Sequence, residues 1–248
     1  MNLKPQRLAK WIATNGYCSR RNAERLISAS KVNVNGQIAK HTDLVTANDT
    51  IIIDQQPLII NPERVYYKYH KPVGIDCNIK ADDSASLYHV LQLIPQRVFA
   101  VGRLDKDSSG LLLLTNDGLL CQRLIHPDFH HKKSYRVKVD RDIDANFISQ
   151  LSQGVSWQLG SKIYTSRPCQ LEPINKREFI ITLTQGLHRQ IRYMCKSQGV
   201  NVLNLCRISL HNIQLANLAV TAIEPIQDEA LTSLLQLVQT ENIHCTAD

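Results

Sequence analysis

Apolar and polar positions change period several times along this chain, and each change marks an expected element. Leu8, Trp11 and Ile12 recur at helical spacing among basic residues and stop near Gly16. A second helix is expected from the cap candidate Ser19 through Ile27, with Ala23, Leu26 and Ile27 as its apolar stripe. Val32-Asn33-Val34 alternates as a short strand does, Asn35-Gly36 is a hairpin signal, and 50–53 reads as another strand. Pro57, Asn61 and Pro62 then punctuate the chain as a linker. Beyond them, strands are expected at 65–70, 98–101, 111–115, 134–139, 179–184 and 202–210. Helices are expected near 84–93, 117–125, 145–153, 187–198 and 228–238. Interleaved strands and helices of this kind predict an α+β fold. Residues 1–62 would form a small unit of two helices and a hairpin-containing sheet. Residues 63–248 would be built on one large mixed, mostly antiparallel sheet flanked by helices.

Charge sharpens the picture for the first unit. The whole chain of 248 residues carries a net +7, and 1–41 accounts for all of it. That stretch sets Lys4, Arg7, Lys10, Arg20, Arg21, Arg25, Lys31 and Lys40 against Glu24 alone. A basic face so concentrated suits a polyanion, because each phosphate neutralised releases condensed counterions. Seven cysteines at 18, 77, 121, 169, 195, 206 and 245 include no C-x-x-C pair, so neither a disulfide framework nor a metal site is expected. No apolar run approaches the roughly 20 residues needed to cross a bilayer. Met1 to Pro5 opens no secretory segment, and a cytoplasmic location is expected.

The candidate chemistry lies between two apolar runs. Val101-Gly102-Arg103-Leu104-Asp105-Lys106-Asp107-Ser108-Ser109-Gly110 leads into Leu111-Leu112-Leu113-Leu114-Thr115-Asn116-Asp117-Gly118. Arg103 and Asp105 alternate in extended chain and so point to one side. A loop pinned by two strands is a suitable place for a reactive carboxylate. An isolated R-x-D would be a surface salt bridge, but the whole string resembles the central motif of the rRNA pseudouridine synthases of the RsuA, RluB, RluE and RluF type. Three further segments carry the same resemblance: Lys71-Pro72-Val73-Gly74; Lys133-Ser134-Tyr135-Arg136-Val137; and Gly186-Leu187-His188-Arg189-Gln190-Ile191-Arg192-Tyr193-Met194, the last followed by Leu205-Cys206-Arg207-Ile208. The string from Arg7 to Ile27, followed by Val32 to Gly36, is similar to an S4 RNA-binding domain.

The resemblance implies isomerisation of uridine to pseudouridine within RNA, with no cofactor and no metal. Asp105 would be the catalytic residue, either attacking C1′ of the sugar or abstracting its 2′ proton. Tyr135 would stack on the uracil, and Arg192 would be buried against Asp105, favouring its carboxylate form. Arg103 would fill the space left by a flipped base. Lys71, Ile191 and Arg189 are the remaining candidates for holding substrate. Arg7, Lys10, Arg20, Arg21, Arg25 and Lys31 would bind RNA. The D-K-D-S-x-G form is similar to the RluF branch, which acts on large-subunit rRNA. The partner expected is therefore rRNA, free or in a ribosome-assembly intermediate, with a monomer as the default state. Departures from the family pattern are His188, Tyr193 and the stretch 215–224. The alternative reading is a non-catalytic RNA-binding or ribosome-assembly factor that keeps the fold. An S4-fused methyltransferase would need a glycine-rich nucleotide-binding turn, which the sequence lacks.

Overall fold

The computed structural model describes residues 5–58 and 63–239. The expected linker residues Asn61 and Pro62, the terminus at Met1 to Lys4 and the last residues, Cys245 included, lie outside this range.

The first unit opens with β1 (Gln6–Arg7), α1 (Leu8–Thr14) and α2 (Arg20–Ser28). It continues with β2 (Val32–Val34), β3 (Gln37–Ile38), β4 (Leu44–Val45), β5 (Ile51–Ile53) and β6 (Gln56–Pro57). Helix α2 begins where expected: the Ser19 hydroxyl accepts the backbone N–H of Asn22, an N-cap bond that satisfies one orphan donor of the first turn. Leu8, Ile12, Ala23, Ile27, Val32 and Ile53 are buried together, so the apolar stripes of both helices meet one face of the small sheet. The basic residues are left outside. Lys10, Arg21 and Arg25 carry no ion pair among the described residues, while Arg20 pairs with Glu24 and Lys31 with Asp54.

The second unit contains, in chain order, β7 (Tyr66–Lys71), α3 (Leu87–Leu91), β8 (Phe99–Ala100), β9 (Ser109–Thr115), α4 (Gly118–Ile125) and β10 (Lys133–Val139). Then come α5 (Ala145–Gln153), β11 (Ser156–Leu159), β12 (Lys162–Thr165), β13 (Gln170–Asn175), β14 (Glu178–Leu183) and α6 (Gln190–Ser197). The chain finishes with β15 (Val202–Leu210), β16 (Ile213–Gln214), β17 (Ile223–Pro225) and α7 (Asp228–Gln239). Among the described residues a nine-stranded sheet runs β13-β14-β10-β15-β9-β7-β17, with β16 on β15 and β8 on β9. Every pairing is antiparallel except β9 with β15.

Strand β9 explains the unbroken leucine run. Leu111 and Leu113 pack with Leu120 and Leu124 of α4 and Leu234 of α7, whereas Leu112 and Leu114 face Leu87 and Leu91 of α3. A strand covered on both faces needs no polar positions. A third apolar cluster sets α5 and α6 against β10 and β14, through Phe147, Leu151, Met194, Val137 and Phe179.

Some expectations are trimmed. The expected strand 98–101 is only the short β8, because Val101 turns into the loop carrying Asp105 while its N–H still reaches the Leu113 carbonyl at 2.8 Å. The expected helix 187–198 starts at Gln190, because Arg189 takes a left-handed conformation at φ 50°. The β11–β12 hairpin and β13 are additions to the expected elements.

Candidate active site

Six separated segments converge on one cleft of about 550 Å³, whose walls include Arg103, Asp105, Lys133, Tyr135, Arg189, Ile191 and Arg207. The convergence follows from register. Tyr135 of β10 lies opposite Arg207 of β15, and Arg207 in turn lies opposite Gly110 of β9. Three neighbouring strands thus bring the K-x-Y segment abreast of the end of the aspartate loop. A register shift in the β10–β15 ladder falls between Ser134 and Tyr135, an irregularity of the kind that re-aims a side chain beside a site.

Leu104 anchors the loop. It is buried in the cluster behind the sheet, and its N–H meets the Cys77 sulfur at 3.4 Å. Arg103, Leu104 and Asp105 all line the cleft, so the expected pair Arg103 and Asp105 meets there. The loop is closed by Ser108 N–H on the Asp105 carbonyl (3.0 Å) and held from outside by Gly74 N–H on the Lys106 carbonyl (2.8 Å).

Lys71 takes a different place from the one expected. It is fully buried and absent from the cleft wall, and its ammonium donates to the carbonyls of Pro72 (2.9 Å) and Ile75 (2.6 Å). Lys71 ends β7 opposite Gly110 of β9, and its side chain is buried there behind the cleft wall. Burial pushes the Lys71 ammonium below its usual range, an effect opposed by the Cys77 thiol and by Asp76, Asp105 and Asp107 nearby.

Arg192 also differs from expectation. Its guanidinium donates to the carbonyls of Val202 (3.1 Å) and Asp107 (2.9 Å), approaches the Ser108 hydroxyl at 3.4 Å and pairs with the Asp107 carboxylate at 3.2 Å. Those backbone ties leave it on Asp107, not Asp105. The cation nearest the candidate nucleophile is Arg189, 3.9 Å from the Asp105 carboxylate. Arg189 is free of α6, which starts at the next residue, Gln190. The Gln190 side chain accepts the Leu187 N–H at 3.0 Å, and Arg189 bridges the turn in left-handed conformation. The hydrogen bond from Arg189, then the Arg192 charge, hold the Asp107 carboxyl below the usual carboxylate range.

Two participants were not singled out from sequence. Asp107 gathers both arginines, and it stands in the turn that the Ser108 N–H closes on the Asp105 carbonyl. Arg207 is buried in the wall with Nε on the Leu111 carbonyl at 2.7 Å, while its Nη2 has no partner among the described residues. Ile191 is buried at the cleft, an apolar wall suited to a detached base. The six basic candidates of the first unit lie in the small N-terminal unit and not in this cleft; Arg21 and Arg25 flank a surface concavity with Glu24 and Ser28. Among the described residues no group of three His, Cys, Asp or Glu side chains is placed to hold a metal ion. No helix there is long and apolar enough to cross a membrane.

A family profile of RNA pseudouridylate synthases matches residues 65–197, and an S4 domain matches residues 6–51. The chain belongs to the RNA pseudouridine synthases of the RsuA, RluB and RluF type. The synthase is 34% identical to the dual-specificity RNA pseudouridine synthase RluF of Escherichia coli K12, over 95% of this chain and 80% of that one. It is 35% identical to the ribosomal large subunit pseudouridine synthase B of Bacillus subtilis 168, over 82% of this chain and 84% of the relative. A crystal structure of a pseudouridylate synthase superposes on the synthase with a TM-score of 0.67 at 27% identity, covering 93% of this chain and 99% of the other. The synthase is therefore an isomerase with an S4 RNA-binding domain ahead of its catalytic sheet.

Proposed function

We propose that this synthase isomerises one specific uridine of rRNA, most simply in the large subunit, with Asp105 as the catalytic carboxylate and residues 1–62 as the docking domain for residues 63–248. The reaction breaks the N1–C1′ bond, turns the uracil and joins C5 to C1′, so nothing enters and nothing is oxidised. The observation that carries the reading is the meeting of Asp105, Tyr135 and Arg189 in one cleft, assembled from three motif segments distant in sequence. A uridine inside folded RNA reaches such a cleft only after flipping out of its stack. Tyr135 would then cover the ring, Arg103 would take the vacated space, and Ile191 would hold the detached uracil so that recombination beats escape. Arg189, 3.9 Å from Asp105, would orient the carboxylate through which either attack at C1′ or abstraction of the 2′ proton proceeds. Arg192 would act by fixing the loop through Asp107. The unpaired Lys10, Arg21 and Arg25 give the S4 face its charge for a phosphate backbone in the cytoplasm. The large-subunit assignment is supported by the D-K-D-S form and by relatives named for that subunit.

Site-resolved pseudouridine mapping of total rRNA tests this. Cells lacking the gene should lose pseudouridine at one large-subunit site, and wild type, but not Asp105→Asn, should restore it. An unchanged map in the deletion would refute the rRNA assignment, and restoration by Asp105→Asn would refute the role of Asp105.

A further inference from the structure

The rim of the cleft carries a group of aromatic rings for which uridine isomerisation has no use. The chain leaves the cleft wall at Ile125 and Pro127, forms the single turn Pro127–Phe129, and rejoins the wall at Lys133. Within that excursion His126 and Phe129 have ring centroids 5.7 Å apart, and Phe129 and His131 lie 6.1 Å apart with planes only 27° from parallel. His131 then meets His211 edge to face at 5.0 Å. His211 directly follows Leu210, another wall residue, and its backbone N–H is bound to the Lys132 carbonyl at 2.8 Å. His130 and His211 turn the chain through left-handed conformations, φ 49° and 54°, which L residues adopt only at a cost. Phe129, His131 and His211 are half-buried, so each ring keeps accessible surface.

The chemistry of this group points away from ion pairing. Burial, with help from His211 and Lys133, pushes the His131 imidazole down to about 4, so at neutral pH it is an uncharged ring. His211 is also pushed below its usual value by burial. Neutral imidazoles and a phenyl ring cannot neutralise phosphate; they offer flat faces. Positive charge stands immediately beside them, in exposed Lys132 and in Lys133 of the cleft wall, and Asp128 contributes a carboxylate only at the outer end, near His126. Flat rings next to ammonium groups form the combination that holds unpaired nucleotides, stacking for the base and charge for the backbone. Flipping a uridine also draws the adjoining nucleotide out of its pairing and toward the lip of the cleft, where a flat ring has an immediate use.

We propose that Phe129, His131 and His211 form a stacking subsite for an unpaired nucleobase adjacent to the target uridine, with Lys132 and Lys133 taking the neighbouring phosphates. The inference rests on the reading of the cleft as the uridine site, and its test uses binding so that the two are judged separately. The full-length protein is titrated with a single-stranded dodecamer of alternating uridine and adenosine, followed by fluorescence anisotropy and by the ring C–H signals of the histidines. His131 and His211 signals should move upfield as bases stack on them. Phe129→Ala and His131→Ala should each weaken binding about five- to a hundredfold. His131→Phe, which keeps a flat ring and guards against a folding artefact, should stay within about twofold of wild type, because stacking tolerates a change of ring. A dodecamer with abasic adenosine positions should bind wild type and His131→Ala alike. Equal affinities across the variants with unmoved ring signals overturn the subsite while leaving the isomerase reading intact. Failure of wild type to bind the dodecamer overturns it as well, and rRNA mapping then judges the isomerase reading alone.

Discussion

Arg189 grips both carboxylate oxygens of Asp107, at 3.1 and 2.7 Å. The same guanidinium stands 3.9 Å from Asp105, so Asp107 sets how far Arg189 leans toward the proposed catalytic carboxylate. Removing the charge with Asp107→Asn leaves Asp105 as the neighbouring carboxylate for Arg189, which then crowds the carboxylate proposed to start the reaction. Single-turnover rates should fall about ten- to a hundredfold, the cost of a misplacement near 1 Å, while RNA affinity stays near wild type. Asp107→Glu should recover part of the rate. A rate unchanged in Asp107→Asn would refute this positioning role.

The same pair gives a signed pH effect on stability. The folded Asp107 carboxyl sits below its unfolded value, so its contribution is fully present above about pH 4 and is lost as pH falls through the lower, folded value. With the carboxylate side chain 45% exposed the contribution is modest, and the Asp107→Asn difference in urea midpoint should shrink on acidification.

Gly110 is where β9 and β15 touch. Its φ is +106°, and a Cβ there would meet the Arg207 carbonyl carbon at 2.9 Å, with the Arg207 nitrogen and oxygen nearer still. All three are backbone atoms and cannot swing aside. Gly110→Ala should cost about 3–5 kcal/mol and lower Tm by about 10 °C in a scanning melt. A shift under about 2 °C would mean that the two strands can separate without penalty.

Asp117 performs two tasks at the end of β9. It caps α4 by accepting the N–H groups of Leu119 (3.0 Å) and Leu120 (3.1 Å), and it accepts the buried Tyr66 hydroxyl at 3.1 Å. Asp117→Ala loses the cap and strands a phenol, a loss of about 2–4 kcal/mol in urea unfolding. Asp117→Asn keeps an acceptor for the cap and should lose less than half of that.

His131 should titrate near pH 4 by NMR, against about 6.5 for an unfolded histidine. Between those values the unfolded chain takes up the proton first, so stability falls as pH drops. His131→Phe should flatten that part of the stability profile. A midpoint above about 6 would contradict the burial assigned to this ring.

The parts legible in the sequence were those with a strong periodic or local chemical signal. The leucines at 111–114 announced a doubly covered strand, and Ser19 a helix start, because burial and capping both act on neighbouring residues. Strand β13 was not legible. It is an edge strand with nearly every side chain exposed, and it carries Pro173, so its identity comes from hydrogen bonds to β14 rather than from an apolar pattern. The β11–β12 hairpin is similar: Trp157 is its one buried residue. At the site, alternation placed Arg103 and Asp105 together, since that rule is local. The partner of Arg192 depended on where Val202 and Asp107 present their carbonyls, and the depth of Lys71 depended on which strand runs under the loop. Both are long-range facts that no residue pattern encodes.

The parallel contact of β9 with β15 also has a consequence for the timing of biogenesis. The Arg207 side chain that bonds the Leu111 carbonyl lies 96 residues later in the chain. A ribosome adding about 5–20 residues per second presents the S4 helices and the leucine strand many seconds before β15 exists. The N-terminal unit buries its core with contacts among its own residues, so it can fold early. The aspartate loop has no such option, because Gly110 meets its neighbour only when β15 emerges. A nascent chain of this synthase therefore completes its S4 unit well before its cleft, which is whole only once the last fifth of the chain is made.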